Sequence, residues 1–226
     1  MLIGVFGKSG AGKDTIAEHI RHLDPRFEVR KFATGVRQAS EILTDINWAE
    51  MVTTEQKAKS LSDIKFSNED FEDRIRQCIA SVRPWKVATL YEISQFKNAL
   101  QVSYDTLGFI YLDYSIGKLL QLLGTDCFRV VIDEDTWVDQ LFSTYKYDQY
   151  VVISDVRAPN EEQAIHELGG IVIRVVRPEQ EQLADGRSKS HASENWVVRA
   201  DVEFDNSGTL QELLDKTEHF MHNQNL

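Results

Sequence analysis

The run Gly7-Lys8-Ser9-Gly10-Ala11-Gly12-Lys13-Asp14-Thr15 carries the strongest chemical signal in the chain. Its spacing, G-x-x-x-x-G-K, suits a loop whose backbone N–H groups turn inward around phosphate oxygens. Lys13 would add a mobile cation for the terminal phosphates. A helix starting at this lysine would add the partial positive charge of its N-terminus. One position departs from the usual pattern. A Ser or Thr hydroxyl normally follows the lysine and binds Mg²⁺, but here Asp14 does, with Thr15 one place later. A carboxylate is a hard oxygen donor and could hold Mg²⁺ or a metal-bound water. It could equally act as a charge stabilising the helix end. Thr15 could hydrogen-bond a phosphate.

Three further groups could serve an anionic ligand. Asp155-Val156-Arg157-Ala158-Pro159-Asn160-Glu161 follows an apolar run, so Asp155 could orient Mg²⁺ while Arg157 faces phosphate. A structural Asp–Arg pair at a strand–helix turn would leave the same pattern. Lys118 and Gln121 are i,i+3 neighbours on one predicted helix face, ahead of Gly124-Thr125-Asp126. They could point at a ligand or simply meet water. Two loose basic clusters, Arg30/Lys31/Arg37 and Arg187/Lys189/His191, could grip phosphate or close over it. Asp205-Asn206-Ser207-Gly208 reads as a turn capping a final helix.

Chemistry of this kind needs a frame that holds the loop rigidly. Leu2–Phe6 is a continuous apolar run, as expected of a buried parallel strand. Ile16, Ala17, Ile20 and Leu23 fall on one helical face, and Asp24-Pro25 ends that helix. A strand is expected over 27–32. Residues 34–114 read as a mostly helical insertion with an aromatic stretch around Tyr104, Phe109, Tyr111 and Tyr114. Helices through Ile116–Leu123 and Trp137–Phe142 follow, then a strand at Tyr150–Ile153. Pro159 fits the first turn of a helix that Gly169-Gly170 stops. Ile171–Val176 is the next strand. Residues 177–200 are polar and lid-like, Val202–Phe204 is a short last strand, and Thr209-x-x-Glu212 is a capping box. This rhythm predicts an α/β fold with a mainly parallel sheet covered on both faces, in one domain over 1–226.

Composition narrows the function classes. The chain has 226 residues and a formal net charge of −11, with 36 acidic against 25 basic residues. That balance argues against polymeric nucleic acid and anionic membranes as partners. An anionic ligand would need local cations to overcome the global field. No apolar run approaches the ~18 residues of a membrane span. Cys78 and Cys127 are far apart in sequence and read as reduced thiols in a cytoplasmic protein. No Ser/His/Asp or Cys/His arrangement is evident.

Taken in order, GxxxxGKDT, Q-x-x-G-T-D, Trp137, D-x-R after a strand, V-x-R-P, H-x-S-E and N-x-G-x-L resemble the deoxynucleoside monophosphate kinases of large tailed bacteriophages. The resemblance implies a P-loop kinase fold: a five-stranded sheet flanked by helices, an acceptor-binding insertion and a lid. It implies transfer of the ATP γ-phosphoryl group to a deoxynucleoside monophosphate with Mg²⁺. By position, Ser9, Gly10, Ala11, Gly12, Lys13, Asp14 and Thr15 would bind ATP and Mg²⁺, with Asn206 at the adenine. Lys118, Gln121, Gly124, Thr125 and Trp137 would lie near the acceptor and the catalytic centre. Asp155, Arg157 and Glu161 would lie by the transferring phosphate, with Asp155 also a metal ligand. Arg37 is a candidate for the acceptor phosphate. The implied partners are ATP and a deoxynucleoside monophosphate, with a homodimer as the assembly to consider and the host cytoplasm as the setting for a phage protein.

Other readings remain open on the sequence. Phosphomevalonate kinases resemble the same loop. Asp105-Thr106-Leu107-Gly108 spells the D-x-x-G of a GTP-binding switch, although no N-K-x-D follows anywhere. A non-catalytic ATP-binding module would also use the loop.

Overall fold

A computed structural model describes residues 1–178 and 196–224. It resolves into two compact units: one formed by the described residues of Met1–Phe32 and 141–226, the other by Ala33–Gln140.

The first unit is built on five parallel strands: β1 (Leu2–Phe6), β2 (Phe27–Arg30), β6 (Tyr150–Val156), β7 (Ile171–Val176) and β8 (Val202–Asp205). Their order is β2-β6-β1-β7-β8. The innermost strand β1 is apolar on both faces because both are covered. Helices α1 (Lys13–Leu23) and α9 (Leu210–Asn223) supply one layer. Ile16, Ile20, Leu213, Phe220 and Met221 close over Ile3, Val5, Val152, Ile173 and Phe204. On the opposite face lies α8 (Pro159–Glu167). A Cβ at Gly4 would come within 2.7 Å of Ile165 Cδ1, so the missing side chain lets α8 approach the sheet. The local signals read from sequence hold: Pro159 opens α8, Gly169 at φ 74° ends it, and Thr209 and Glu212 form a reciprocal capping box on α9.

The second unit extends to Gln140, further than the 34–114 insertion expected. The reason is packing. The residues after 114 continue as α6 (Ile116–Gln121), a π-helix (Leu122–Ile132) and the start of α7 (Thr136–Phe142). Helix α6 and the π-helix pack on α2 (Ala33–Thr44), the π-helix also on α5 (Leu90–Ala99), and Trp137 and Gln140 of α7 lie against Gly35 of α2. Helix α4 (Asn68–Val82) lies against α2 and α5 and buries Phe71, Ile75, Cys78, Ile79 and Val82. A short helix, α3 (Thr54–Lys57), is fixed by a Thr53/Gln56 capping box.

The unit is not all helix. The aromatic stretch forms a hairpin, β4 (Ser103–Tyr104) and β5 (Ile110–Tyr111), which β3 (Lys65–Phe66) joins in an antiparallel three-stranded sheet. Asp105 closes the turn by accepting from the N–H groups of Leu107 and Phe109 and pairing with Lys65 at 2.7 Å. The D-x-x-G tetrapeptide is therefore a hairpin tip, with its carboxylate occupied by the turn itself. This removes the sequence basis for a GTP-switch reading.

The π-helix is the least ordinary element. Its wider turn is visible where Asp133 N–H donates to Phe128 C=O at 2.8 Å, five residues back. Phe128 is fully buried, with its ring 5.1 Å from Phe96 and 4.8 Å from Trp137. Truncating it would open a cavity between the Phe96 and Trp137 rings. Phe128→Ala is expected to cost ~3–5 kcal/mol, measured by urea denaturation; a loss under ~1 kcal/mol would mean that this cluster does not hold the helix.

Candidate functional site

In the first unit the glycine-rich run sits at the C-terminal edge of the parallel sheet, where open α/β sheets bind ligands. Gly10 and Gly12 adopt φ 76° and 106°, values an L side chain rarely takes. Gly7 has a second constraint, since a Cβ there would lie 2.5 Å from the backbone oxygen of Val175. The loop leads into α1 with Gly12 as N-cap, and no side chain caps that helix. Its first N–H groups therefore point out of the helix without a side-chain partner, which favours an anion. Ser9 and Gly10 are exposed at the loop tip, and Ala11 is buried beneath it. Lys13 Nζ donates to the Lys8 carbonyl at 2.7 Å, across the loop.

Asp14 is held from two sides. Ser154 on β6 donates its hydroxyl to Asp14 Oδ1 at 2.8 Å, and Lys31, just past β2, pairs with the same oxygen at 2.6 Å. Burial works against the charged form of this carboxyl. The hydrogen bonds from Lys31 and Ser154 outweigh it and hold the pKa below the ordinary carboxylate value. The Asp14 side chain is still 69% exposed, so its second oxygen faces outward. Thr15, on the first turn of α1, is half-buried.

Asp155, next to last on β6, accepts from the Phe32 N–H at 2.8 Å, tying the sheet edge to the chain leaving β2. Arg157 is exposed on the following turn. Glu161, expected beside the phosphate or the acceptor, has another role. It is 3% exposed, and its Oε2 accepts from the N–H groups of Arg157 at 2.7 Å and Ala158 at 3.0 Å. Its carboxylate fixes the turn that carries Arg157.

Asn206 is likewise turned inward. It is 7% exposed, and its Nδ2 donates to the Ala11 carbonyl at 2.8 Å, while its own N–H donates to Val176 C=O at 2.7 Å. The side chain expected at an adenine thus braces the glycine-rich loop from beneath. Arg187, Lys189 and His191 lie outside the described residues.

In the second unit the expected residues divide into two kinds. Trp137 is 2% exposed, and its indole N–H donates to the Gly124 carbonyl at 2.8 Å. Because it is packed against Phe128, it shapes the π-helix rather than offering an open face. Gly124 lies against Val36 of α2, where an added Cβ would make ordinary contact at 3.7 Å.

The other kind has polar atoms to spare. Gln121 is 7% exposed, and neither its Oε1 nor its Nε2 finds a hydrogen-bond partner. Ser40 Oγ on α2 is also buried without a partner. Lys118 and Arg37 are half-buried, and among the described residues neither side chain forms an ion pair or hydrogen bond. Thr125 is buried one residue past Gly124.

Sequence reasoning missed Lys31, Ser154 and Ser40 as individual residues. Lys31 was visible only as one of a basic cluster; its link to Asp14 follows from β2 and β6 pairing side by side.

The model of one protein family, "Deoxynucleotide monophosphate kinase", matches residues 1–217. The chain belongs to this family of phosphotransferases. A relative from Enterobacteria phage T4, "Deoxynucleotide monophosphate kinase", is 32% identical over 120 residues. That match covers 50% of this chain and 47% of the phage T4 protein, about half the length of each. A second, "Deoxynucleoside-5'-monophosphate kinase" from Escherichia phage T5, is 26% identical over 228 residues, covering 87% of this chain and 85% of its own. Among solved structures, a Thermus thermophilus protein aligns over 99% of this chain and 97% of its own, at 14% identity and a TM-score of 0.40.

For this kinase-family chain, Asn206 is expected to matter through the loop it braces. Asn206→Ala leaves the buried Ala11 carbonyl without that donor, so it should cost ~1–3 kcal/mol of stability and weaken nucleotide binding. Thermal denaturation and nucleotide titration of the variant check both; unchanged values in each would show that the loop holds itself.

Proposed function

We propose that this chain transfers the γ-phosphoryl group of ATP to a deoxynucleoside monophosphate, giving the diphosphate. The observation that carries the acceptor assignment is the Gln121 amide: a donor and an acceptor, both buried and both unpartnered. Burying an unsatisfied amide is costly, so it is a poor choice for stability alone. A nucleobase edge offers a matching acceptor and donor. Lys118 and Arg37 in the same unit are cations available for the acceptor phosphate. Phosphomevalonate has no base to meet such an amide.

The donor side rests on the loop. Backbone N–H groups at the start of α1 and the Lys13 ammonium would take the β- and γ-phosphates. The residues fit Mg²⁺ bound together with a nucleotide. Among the described residues no cluster of three His, Cys, Asp or Glu could hold a metal alone. Mg²⁺, however, commonly uses one or two carboxylates, with phosphates and water completing its shell. Asp14 would supply a carboxylate oxygen, with Thr15 and Asp155 as further oxygen donors. Bound there, Mg²⁺ would neutralise charge between the phosphates.

What remains for the chain is positioning and charge. Lys13 moves from the Lys8 carbonyl to phosphate. Glu161 holds the backbone of Arg157, whose guanidinium would meet the transferring group. A phosphate monoester is already nucleophilic at neutral pH, so no general base is needed. The substrates are small molecules in the host cytoplasm. No helix among the described residues is long and apolar enough to cross a membrane.

Two experiments test this reading. The first is a coupled ADP-release assay with the four deoxynucleoside monophosphates, their ribose counterparts and phosphomevalonate. Activity is expected with nucleoside monophosphates and should vanish in Lys13→Ala. In the same assay Arg157→Lys should lower kcat at least tenfold, because a point charge replaces a bidentate fork at the reacting group. Arg37→Ala should instead raise the KM for the acceptor. If no nucleoside monophosphate is phosphorylated, the reading fails.

The second experiment separates function from stability. Gln121→Leu keeps the volume and removes the orphaned amide. It should leave the unfolding free energy unchanged or raise it by up to ~1–2 kcal/mol, while raising the acceptor KM at least tenfold. A destabilised variant with a normal KM would make Gln121 structural.

A further inference from the structure

The loop aspartate is not a bare ligand waiting for a metal. Lys31 reaches Asp14 Oδ1 at 2.6 Å, and Ser154 donates to the same oxygen at 2.8 Å. Lys31 has no other ion pair or hydrogen bond among the described residues, and its side chain is 31% exposed. It leaves the end of β2, beside β6, so it reaches Asp14 from the edge of the sheet. Ser154 is fully buried and anchors the carboxylate from the strand next to it. Lys13 of the loop itself adds a further favourable charge at this carboxylate. Two opposite charges at this separation are well matched, and the outward oxygen of Asp14 is left for another partner.

This arrangement solves an electrostatic difficulty. A Ser or Thr hydroxyl after the loop lysine is neutral and does not repel phosphate. An aspartate there places a negative charge at the mouth of a site that must take a polyanion. Without a metal, that charge would oppose nucleotide binding unless something cancels it.

We propose that Lys31 is a built-in counter-cation that neutralises Asp14 when no metal is present, so that the loop can accept a nucleotide before or without Mg²⁺. When Mg²⁺ arrives with the nucleotide, it takes over this neutralising role at Asp14, and Lys31 becomes dispensable for donor affinity. Lys31 is thus a positioning residue that acts through Asp14. The inference rests on the donor site proposed above.

The experiment measures ATP affinity by calorimetry, once with excess EDTA and once with saturating Mg²⁺. The proteins are the wild type, Lys31→Met, Lys31→Arg, and Lys31→Met combined with Asp14→Asn. In Lys31→Met the metal-free Kd should rise at least about fivefold, because an uncompensated charge then faces the phosphates. The Kd with Mg²⁺ should change less than twofold. Lys31→Arg should behave as wild type, and Asp14→Asn in the Lys31→Met background should restore the metal-free affinity. An equal loss with and without Mg²⁺ would overturn the proposal and make Lys31 a direct phosphate contact. No change in either condition would overturn it too, leaving a surface ion pair. If the wild type binds no ATP in either condition, the donor site itself fails, and the inference with it.

Discussion

Everything in the first unit depends on one uncapped helix end. Among the described residues, most α-helices begin with a Ser or Thr side chain that satisfies an early N–H: Thr53, Ser67, Thr89, Ser115 and Thr209 all do so. Helix α1 begins at Gly12 with no such cap. Its N–H groups are left for an outside acceptor, and the helix dipole favours a negative one. The price is a loop that must be held open by other means. Two glycines supply backbone angles that other residues resist. Asn206 braces the Ala11 carbonyl, and Val175 excludes any side chain at Gly7.

The charges around this helix end form a chain of dependencies. Asp14 lies in the first turn, where a carboxylate is favoured by the dipole yet opposed by an incoming phosphate. Ser154 and Lys31 share one of its oxygens and leave the other outward. Asp155, the next residue on β6, accepts from the Phe32 N–H, so adjacent residues of one strand hold both the loop aspartate and the chain just past β2. Glu161 then fixes the turn after β6 from within α8. A protein with a net charge of −11 can thus concentrate cations and N–H groups at one edge of its sheet.

The second unit follows a different logic. Its stability comes from apolar packing, with Phe71, Ile75, Phe96, Phe128 and Trp137 buried. A few polar atoms are deliberately poor investments in that core. The Gln121 amide and the Ser40 hydroxyl are buried without partners, a cost that packing alone does not explain. The π-helix that begins after Gln121 is also a rare element that tends to mark functional positions. Asparagine-like bracing recurs here through Trp137, whose indole N–H satisfies a carbonyl inside that helix.

The sequence by itself determined what depends on neighbours along the chain. The glycine-rich loop, the β1–α1 unit, Pro159 opening α8 and the Thr209/Glu212 cap are local, and their chemistry was legible from residue types and spacing. The parallel sheet followed from the alternation of apolar runs with helical periods. The roles of Asn206, Glu161 and Trp137 were not legible, because each depends on a partner's placement: Ala11 is brought to Asn206 only by strand order, and Gly124 to Trp137 only by the π-turn. Nor could spacing show that Lys31 and Ser154 converge on Asp14. Residues 31, 154 and 14 meet because β2, β6 and the loop after β1 share one edge of the sheet, and only the folded sheet makes them neighbours. The extent of the helical unit was decided in the same way, since residues 116–140 carry ordinary helical patterns and only their packing against α2 and α5 shows which core they join.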